Sequence, residues 1–270
     1  MLQIKGDLHT HTLYSRHAYS TIQENVAAAA AAGLEVFGSA DHFSAMLFPE
    51  QDFRNFQFFS NVEVWPREWM GVTVLRACEA DILALDGGLF GQGVSVPSSI
   101  VGRAFKLDRD LYDRVTEHLD YVIASVHNAD FTLDATKEQT TDMYIKALQH
   151  EKVFILGHPG RSGVAFYVDE VLSAAKELGK VIEINEHSFD AHRGREGKTY
   201  STCRTIAERC AELGVHITVS TDAHIATSIG KVELARTMLE EIDFPQELIV
   251  NRSREAVLAR LDASGVSHIE

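Results

Sequence analysis

Positive charge is scarce in this sequence. Lysine and arginine together number 25 against 39 aspartate and glutamate residues, which gives a formal net charge of -14 and a pI near 5.3. The sequence also shows no basic cluster of the kind that neutralises the phosphates of a polynucleotide. Long nucleic acid is therefore not an expected partner. A small anionic substrate stays compatible with this composition, because a cationic metal centre can lie inside an acidic protein.

Cysteine is also sparse, and long apolar runs are missing. Of the three cysteines, Cys203 and Cys210 fall on one expected helix, about 10 Å apart by the helical rise, which is too far for a disulfide. No apolar stretch approaches the length of a membrane span, and Met1 leads straight into the first expected strand without room for a cleavable leader. We therefore expect a cytoplasmic protein with reduced thiols and no membrane partner.

The sequence does contain a regular alternation of helical patterns and short apolar runs. Ser20 and Gln23 match a capping box ahead of an alanine-rich helix that Gly33 ends, and helical patterns over 168–178 and 202–213 each precede a glycine. Seven apolar runs have the continuous hydrophobicity of buried parallel strands: 1–4, 36–39, 72–78, 121–126, 153–156, 181–184 and 216–220. In 270 residues this pattern predicts one α/β domain spanning 1–270.

Residue types that bind metals stand at the carboxyl ends of most of these apolar runs. His9 and His11 stand two apart, and residues i and i+2 of a strand share one face. In an open sheet, residues at the carboxyl ends of successive strands would lie along a line, whereas a closed barrel brings them to one mouth. We therefore predict a closed barrel with a metal site at its mouth. The later runs end at Asp41-His42, Glu79, His127, His158 and Asp222-Ala223-His224.

Two segments fall outside this pattern. The aromatic-rich stretch 43–69 is expected to be an insertion after the second strand, which either walls the pocket or packs as an outer layer. The glycine-rich stretch 86–97 does not lead from a strand into a helix in the G-x-G-x-x-G manner, so it predicts a turn or mobile loop rather than a nucleotide site.

The ordered set of motifs resembles the polymerase and histidinol phosphatase (PHP) family of metal-dependent phosphoesterases, in particular its small stand-alone branch of trinuclear-zinc phosphatases. The resemblance implies a distorted (β/α)7, TIM-like barrel, in agreement with the seven apolar runs. It covers nearly the whole chain. The residues that carry it are Asp7-Leu8-His9-Thr10-His11, Asp41-His42, Glu79, His127, Gly157-His158-Pro159, Glu183-Ile184-Asn185, Asp222-Ala223-His224 and Val250-Asn251-Arg252-Ser253.

The resemblance also implies nine ligands for three divalent cations. Glu79 suits a bridging position, because a carboxylate has two oxygens and can join two cations about 3.5 to 4 Å apart. Zinc is the expected metal, and a mixed imidazole and carboxylate site also accepts manganese or iron. The implied sets are His9, His11, Glu79 and Asp222 for the first cation, Glu79, His127 and His158 for the second, and His17, His42 and His224 for the third.

The implied activity is hydrolysis of a small phosphomonoester. Three divalent cations against two carboxylates leave a surplus of positive charge that a phosphate offsets. A metal-activated hydroxide would attack phosphorus in line, with Glu79, His127 and Asp222 as the catalytic residues. A guanidinium can bind phosphate through two nitrogens. The candidate substrate-binding residues are therefore Arg161, Arg193 and Arg195.

Several other polar residues could have either a functional or a structural role. Asp7 and Asp41 each neighbour a predicted ligand and either orient an imidazole or cap a loop. The roles of Glu186, His187 and His192 are equally open. The remaining histidines are expected to lie away from the mouth, and they are His118, His150, His216 and His268.

Alternative functions belong to related and unrelated classes. Within the family, the alternatives are a histidinol phosphatase and a 3'-5' exonuclease or nucleotide phosphoesterase, the exonuclease being disfavoured by the acidic charge. An amidohydrolase also begins with H-x-H on a barrel, but it typically carries a bridging carbamylated lysine after the fourth strand, where this chain has His127. A non-catalytic metal-binding domain is disfavoured by the complete ligand set.

Overall fold

The computed structural model describes residues 1–189 and 197–269. The strands in these ranges are β1 Gly6–Thr10, β2 Val36–Phe43, β3 Glu68–Trp69, β4 Val72–Asp81, β5 Tyr121–Ser125, β6 Val153–Leu156, β7 Val181–Asn185 and β8 Ile217–Ser220. The α-helices are α1 Ile22–Ala31, α2 Leu111–Thr116, α3 Lys137–Gln149, α4 Val168–Glu177, α5 Lys198–Leu213, α6 Glu233–Glu241 and α7 Arg254–Ala263.

Seven parallel strands form a nearly closed barrel in the order β1-β2-β4-β5-β6-β7-β8. The first and last strands meet through their backbones: the Asp222 amide donates to the His9 carbonyl at 2.8 Å, and the His11 amide donates to the Ala223 carbonyl at 2.9 Å. The short strand β3 pairs antiparallel with β4 outside this ring. The predicted distorted (β/α)7 barrel is therefore confirmed.

The first strand lies later in the chain than the sequence predicted. The expected strand over 1–4 is wrong, and β1 covers Gly6–Thr10, which includes the motif itself. All five residues of β1 are buried, although two are ionisable. Asp7 is satisfied by Thr221, and His9 is satisfied by Glu183, so this polar segment can occupy the interior without the cost of unpaired groups. A search for apolar runs does not find β1, because the segment contains polar residues.

The strands that carry later motif residues also extend further than expected. β2 continues to Phe43 and β4 to Asp81, and His42 is paired in register with Glu79. Two predicted ligands thus lie within regular parallel pairing, where the backbone fixes their positions.

The alanine-rich helix α1 begins one residue later than predicted. Its capping box joins Thr21 and Glu24, rather than Ser20 and Gln23. Both pairs fit the sequence pattern, but the Ser20 hydroxyl accepts a hydrogen bond from the Ala226 amide at 2.8 Å and is not available to the helix. The expected helices before Gly179 and Gly214 are present as α4 and α5, and α5 carries the unpaired, buried Cys203 and Cys210.

The aromatic segment mostly forms an outer layer. Its central part is a kinked 3-10 helix, Phe53–Val64, and the Phe56 ring packs edge-on against Phe43 at the end of β2. The glycine-rich stretch forms an irregular turn in which Gly91 has a φ of 89° and comes so close to Phe43 that a Cβ would lie 2.6 Å from the ring. Among the described residues, no helix combines the length and apolar character needed to cross a membrane.

Candidate metal centre

The nine predicted ligands converge on the mouth of the barrel. Strand ends and the loops just after them supply every one: His9 from β1, His42 from β2 and Glu79 from β4, with the others from the loops after β1, β5, β6 and β8. Three sets of donor atoms lie within 4.8 Å of one another, namely His9, His11 and Glu79; His42, Glu79 and His127; and His11, His42 and His224.

Glu79 lies at the centre of the cluster and is fully buried. Its Oε2 atom lies 2.9 Å from His42 Nδ1 and 3.2 Å from His9 Nε2. Its Oε1 atom lies 2.8 Å from His158 Nε2 and 3.3 Å from His127 Nε2. His11 Nε2 also lies 3.6 Å from Oε2. Each carboxylate oxygen therefore faces its own set of imidazoles, which is the arrangement that a carboxylate bridging two cations requires.

Asp222 is the second carboxylate of the cluster. Its Oδ1 atom lies 3.0 Å from His11 Nε2 and 3.6 Å from His9 Nε2. The Asp222 backbone has a φ of 56°, and His158 has a φ of 29°, in the left-handed region that disfavours residues with a Cβ. Such a conformation costs on the order of 1–3 kcal/mol and is concentrated at functional sites. Here it occurs at two of the residues that point into the mouth.

The outer part of the cluster contains histidines only. His224 Nε2 lies 2.9 Å from His17 Nε2, and the His11 and His42 rings stack with centroids 4.2 Å apart. His42 belongs to two of the three sets of neighbouring donor atoms, one with Glu79 and one with His224. This side chain therefore lies between the second and the third predicted cation positions. The division of the nine residues among three cations stays a prediction.

The residues present fit a metal cluster. Five buried nitrogen and oxygen atoms of the predicted ligands form no hydrogen bond with a described residue, and other potential metal-binding atoms lie close to them. Imidazole nitrogens and carboxylate oxygens are the donors that zinc, manganese and iron accept. The five atoms are His9 Nε2, His42 Nδ1, His42 Nε2, Glu79 Oε2 and His158 Nδ1.

The cluster keeps its carboxylates ionised. Burial alone would raise the pKa of Glu79, but His127, His9 and His42 hold that pKa well below its usual range. Burial also opposes ionisation of Asp222, whose pKa is nevertheless well below the ordinary value because of His9, His11 and Arg161. Both carboxylates are thus charged at neutral pH and ready to bind cations.

Several imidazoles are held from behind by polar side chains that the sequence analysis did not assign. Asp81 Oδ1 lies 2.6 Å from His127 Nδ1, and Glu183 Oε1 lies 2.8 Å from His9 Nδ1. Such contacts fix the ring orientation and leave Nε2 as the ligand atom. The strand period could have identified Asp81, which lies two residues after Glu79 on the same strand and therefore on the same face.

Asp7 and Asp41 both secure loops. Asp7 accepts hydrogen bonds from the Thr221 amide and hydroxyl, at 3.1 and 2.5 Å, and touches no imidazole in the described part of the chain. Asp41 accepts from Thr12 and, at 2.6 Å, from the Ser15 hydroxyl. Because Ser15 Oγ lies 3.0 Å from His11 Nδ1, Asp41 also orients that imidazole through the serine.

Arg161 is the one candidate substrate anchor that the described residues include, since Arg193 and Arg195 lie outside them, as does His192. The Arg161 Nη2 atom lies 2.7 Å from Asp222 Oδ2. The mouth itself is a cavity of about 350 Å³. Among its lining residues, Met46 comes from the aromatic-rich insertion. Its lining residues are His17, His42, Met46, His127, Arg161, His187, Asp222 and His224.

The other polar residues have structural roles or lie elsewhere. Glu186 accepts hydrogen bonds from the Leu234 and Ala235 amides, at 2.9 and 2.7 Å, at the start of α6. His150 contacts the Gly87 carbonyl at 3.2 Å, and His118 and His268 pair with Glu63 and Asp262. His216 precedes β8, at the end of the strand opposite the mouth.

Comparison with known proteins agrees with this geometry. The PHP domain family model matches residues 7–187. A "probable phosphatase" of Clostridium acetobutylicum is 35% identical over 259 residues, which is 96% of this chain and 95% of that protein. A "probable phosphatase" of Shewanella sp. (strain ANA-3) is 34% identical over 265 residues, with 98% and 94% covered.

A solved structure shows the same fold. It is histidinol phosphate phosphatase from Lactococcus lactis subsp. lactis Il1403, complexed with zinc, L-histidinol and phosphate. It is similar to this chain with a TM-score of 0.51 and 19% identity, covering 89% of this chain and 94% of that one. From the family match and the full-length relatives, the chain belongs to the PHP domain family.

Proposed function

We propose that this protein is a metal-dependent phosphoesterase that hydrolyses a small phosphomonoester at a site of three divalent cations. The observation that carries the proposal is the position of Glu79, whose two oxygens each face a separate set of imidazole nitrogens. Membership of the PHP domain family and the names of the full-length relatives support the same reaction class.

The chemistry of the mouth favours a phosphate ester as substrate. When bound, the cations would acidify water and offset the negative charge of the phosphoryl oxygens. Two ionised carboxylates, Glu79 and Asp222, cannot neutralise three divalent ions, so the site favours an anionic guest. Zinc is the first candidate, and manganese and iron suit the same donors.

The protein's own residues hold and orient this arrangement. Glu79, His127 and Asp222 are the proposed catalytic residues, because they face the position where cations and phosphoryl oxygens would meet. Arg161 would donate to a phosphate oxygen from its place beside Asp222. Asp81 holds His127 with its Nε2 atom toward Glu79.

Lysine positions argue against the amidohydrolase alternative. Lys152 Nζ donates to the Leu119 carbonyl at 2.9 Å, and Lys180 Nζ lies within 3.5 Å of the His150 and Glu151 carbonyls. No lysine is among the described residues that line the mouth, so the described cluster contains no candidate for a carbamylated bridge.

The test combines metal content with turnover. The purified protein is stripped with a chelator, reloaded separately with zinc, manganese or iron(II), and assayed with p-nitrophenyl phosphate, dihydroorotate and an N-acyl amino acid. Elemental analysis reports the number of ions per chain. We expect three ions, and phosphate-ester turnover that disappears on chelation and returns on reloading. A folded protein that retains no metal, or turnover confined to the amides, would contradict the proposal.

A pair of isosteric variants completes the test. Glu79→Gln should lower kcat/KM by more than about a hundredfold. Removal of a residue that only supports a metal ligand typically costs about 10- to 100-fold, and Glu79 is itself a proposed ligand. Glu177→Gln, at an exposed site near the end of α4, makes the same chemical change away from the mouth and should retain activity. Unchanged activity in Glu79→Gln would favour a non-catalytic binding domain.

A further inference from the structure

A second cavity lies beside the metal mouth. It has a volume of about 270 Å³ and lies between the loop after β6 and the first turns of α5. Arg161 is among the lining residues of this cavity and of the mouth, so one residue separates the two. A ligand whose phosphate lies at the metal centre could therefore extend past Arg161 into the second cavity.

The lining of this cavity is strongly positive for so acidic a protein. Lys137, Arg161 and Lys198 contribute three cationic side chains, of which Arg161 is already paired with Asp222, and the described lining residues include no aspartate or glutamate. The chain as a whole carries a formal charge of -14. A concave surface lined by charges of one sign raises the local concentration of oppositely charged ligands. The cavity is thus suited to an anion.

Arg161 has hydrogen-bonding capacity left for such an anion. Its Nη2 atom is paired with Asp222, while its Nη1 atom is buried and has no hydrogen-bond partner among the described residues. An unpaired buried donor on a charged group is costly. Pairing with an anion, after a shift of the guanidinium that brings Nη1 to the cavity surface, would remove that cost. Thr199 and Thr202, on the first turns of α5, add hydroxyl groups to the same wall.

The walls are fixed before any ligand binds. The Tyr144 hydroxyl donates to Ser162 at 3.0 Å, and the Tyr167 amide donates to the Thr141 hydroxyl at 2.8 Å, so α3 holds both ends of the loop. Gly160 packs against α5 so closely that a Cβ would lie 2.4 Å from Cys203 Sγ. A prearranged wall loses little freedom when a ligand binds.

Lys137 is held at the rim of the cavity. Its ammonium group lies 4.4 Å from the centre of the Tyr167 ring, a cation-π contact that positions the charge. Phe166 and Val164 supply apolar surface within the same cavity. Charged groups beside a short apolar wall suit an anionic group attached to a few carbon atoms.

We propose that this cavity binds a second anionic group, a carboxylate or another phosphate, of the phosphorylated substrate. The inference rests on the proposed function and narrows its substrate class to small phosphate esters with a second negative charge a few bonds away. Lys137 and Lys198 are assigned as specificity-determining residues.

Two readouts test the assignment. The first uses the metal-loaded protein and compares kcat and KM for 3-phosphoglycerate with those for glycerol 3-phosphate, which lacks the carboxylate. The second measures calorimetric binding of 3-phosphonopropionate and methylphosphonate, whose P–C bonds are not phosphate esters. We expect about a tenfold preference for the ligand with the second anion in both measurements, equivalent to about 1.4 kcal/mol.

Matched variants locate the preference. The double variant Lys137→Gln/Lys198→Gln should abolish the preference by raising KM and Kd for the ligands that carry a carboxylate, while kcat and the constants for the ligands without one change less than about twofold. Lys5→Gln, an exposed lysine before β1, is the control for a loss of charge and should keep the preference.

The outcomes separate the two proposals. If neither ester is hydrolysed but the phosphonate preference is present and depends on the two lysines, the proposed function fails and the anion subsite stands. If the esters are hydrolysed without a preference, or if the preference survives in the double variant, the subsite is refuted while the phosphoesterase remains.

Discussion

The carboxylate of Asp81 lies 2.6 Å from Nδ1 of His127, while Nε2 of the same ring lies 3.3 Å from Glu79 Oε1. The imidazole is thus held between a carboxylate behind it and the proposed bridging carboxylate in front. Ser44 donates to the other oxygen of Asp81 at 2.5 Å, so the supporting group is itself fixed. This chain of contacts makes the orientation of a predicted ligand depend on residues outside the ligand set.

Asp81→Asn should weaken metal binding by about 10- to 100-fold, because the variant loses the charge that fixes and polarises His127. Competition with a chromogenic chelator measures the affinity, and circular dichroism checks the fold. Asp134→Asn, at an exposed position after β5 that does not line the mouth cavity, provides the same substitution as a control. Metal affinity that is equal in the two variants would show that Asp81 does not support the site.

His17→Asn should reduce the metal content from three ions to two per chain. His17 lies 2.9 Å from His224 at the outer edge of the cluster, and the predicted set for the third cation contains three imidazoles and no carboxylate, so the loss of one nitrogen leaves two ligands. Elemental analysis after dialysis measures the change. His187→Asn is the control, because His187 lines the mouth but is not a predicted ligand, and it should retain three ions. Full occupancy in His17→Asn would remove this residue from the ligand set.

The chelated protein should lose stability between about pH 7 and pH 8. Below that window His11, His158 and His224, whose pKa values are lowered by burial, act in the opposite direction. Burial opposes protonation, but Glu79 and Asp81 raise the pKa of His127 to about 10, and Glu183 and Glu79 raise the pKa of His9 well above its ordinary value. Protonation in the folded state stabilises the protein fully below the unfolded pKa of about 6.5, and that stabilisation declines as the pH rises. Each group contributes at most about 1.4 kcal/mol per pH unit.

Thermal unfolding at several pH values, with and without metal, checks this dependence. Bound cations take the place of the two protons, so the metal-loaded protein should show a flatter profile in the same window. The window ends near pH 8 because burial lowers the pKa of Lys180 to about 8, and deprotonation of that lysine acts in the opposite direction. A chelated protein whose Tm is constant or rises from pH 7 to 8 would contradict the assignment.

Gly38→Ala should destabilise the barrel by about 1–3 kcal/mol, the range for an added group in a packed interior. A Cβ at this position would lie 2.0 Å from the Tyr121 hydroxyl oxygen and 2.9 Å from the Leu8 carbonyl oxygen. Urea unfolding measures the change. Adding Tyr121→Phe removes the nearer contact, so the double variant should be more stable than the sum of the single effects predicts. Strict additivity would show that the two residues do not clash.

The sequence predicted the barrel and the convergence of its ligands for the same physical reason. Each predicted ligand follows or ends a buried strand, and parallel strands in a closed barrel present their carboxyl ends at one mouth. The short motif around His158 and the isolated Glu79 could be placed in this way without any contact information. What the chain pattern could not give was the identity of the partners behind the ligands.

Those partners depend on contacts between distant strands. Glu183 reaches His9 from β7, a strand that supplies no predicted ligand, and only the ring closure brings the two together. Hydrophobicity does not predict the position of β1, because Asp7 and His9 are polar and are buried through hydrogen bonds. Likewise, Ser20 and Thr21 fit the same capping pattern, and a contact with Ala226 decides between them.

The backbone bond between His9 and Asp222 has a consequence for the order in which the protein is made. A ribosome releases His9 early and Asp222 and His224 close to the end of synthesis, so the emerging chain holds an incomplete cluster for most of its time on the ribosome. His9 and His11 lack Asp222, which lies 3.6 and 3.0 Å from them in the folded protein, until β8 closes the ring. A site that needs Asp222 or His224 can therefore be completed only after β8 has joined the ring. A chain that ends before residue 222 would have neither the backbone bonds from residues 222 and 223 to β1 nor these two side chains.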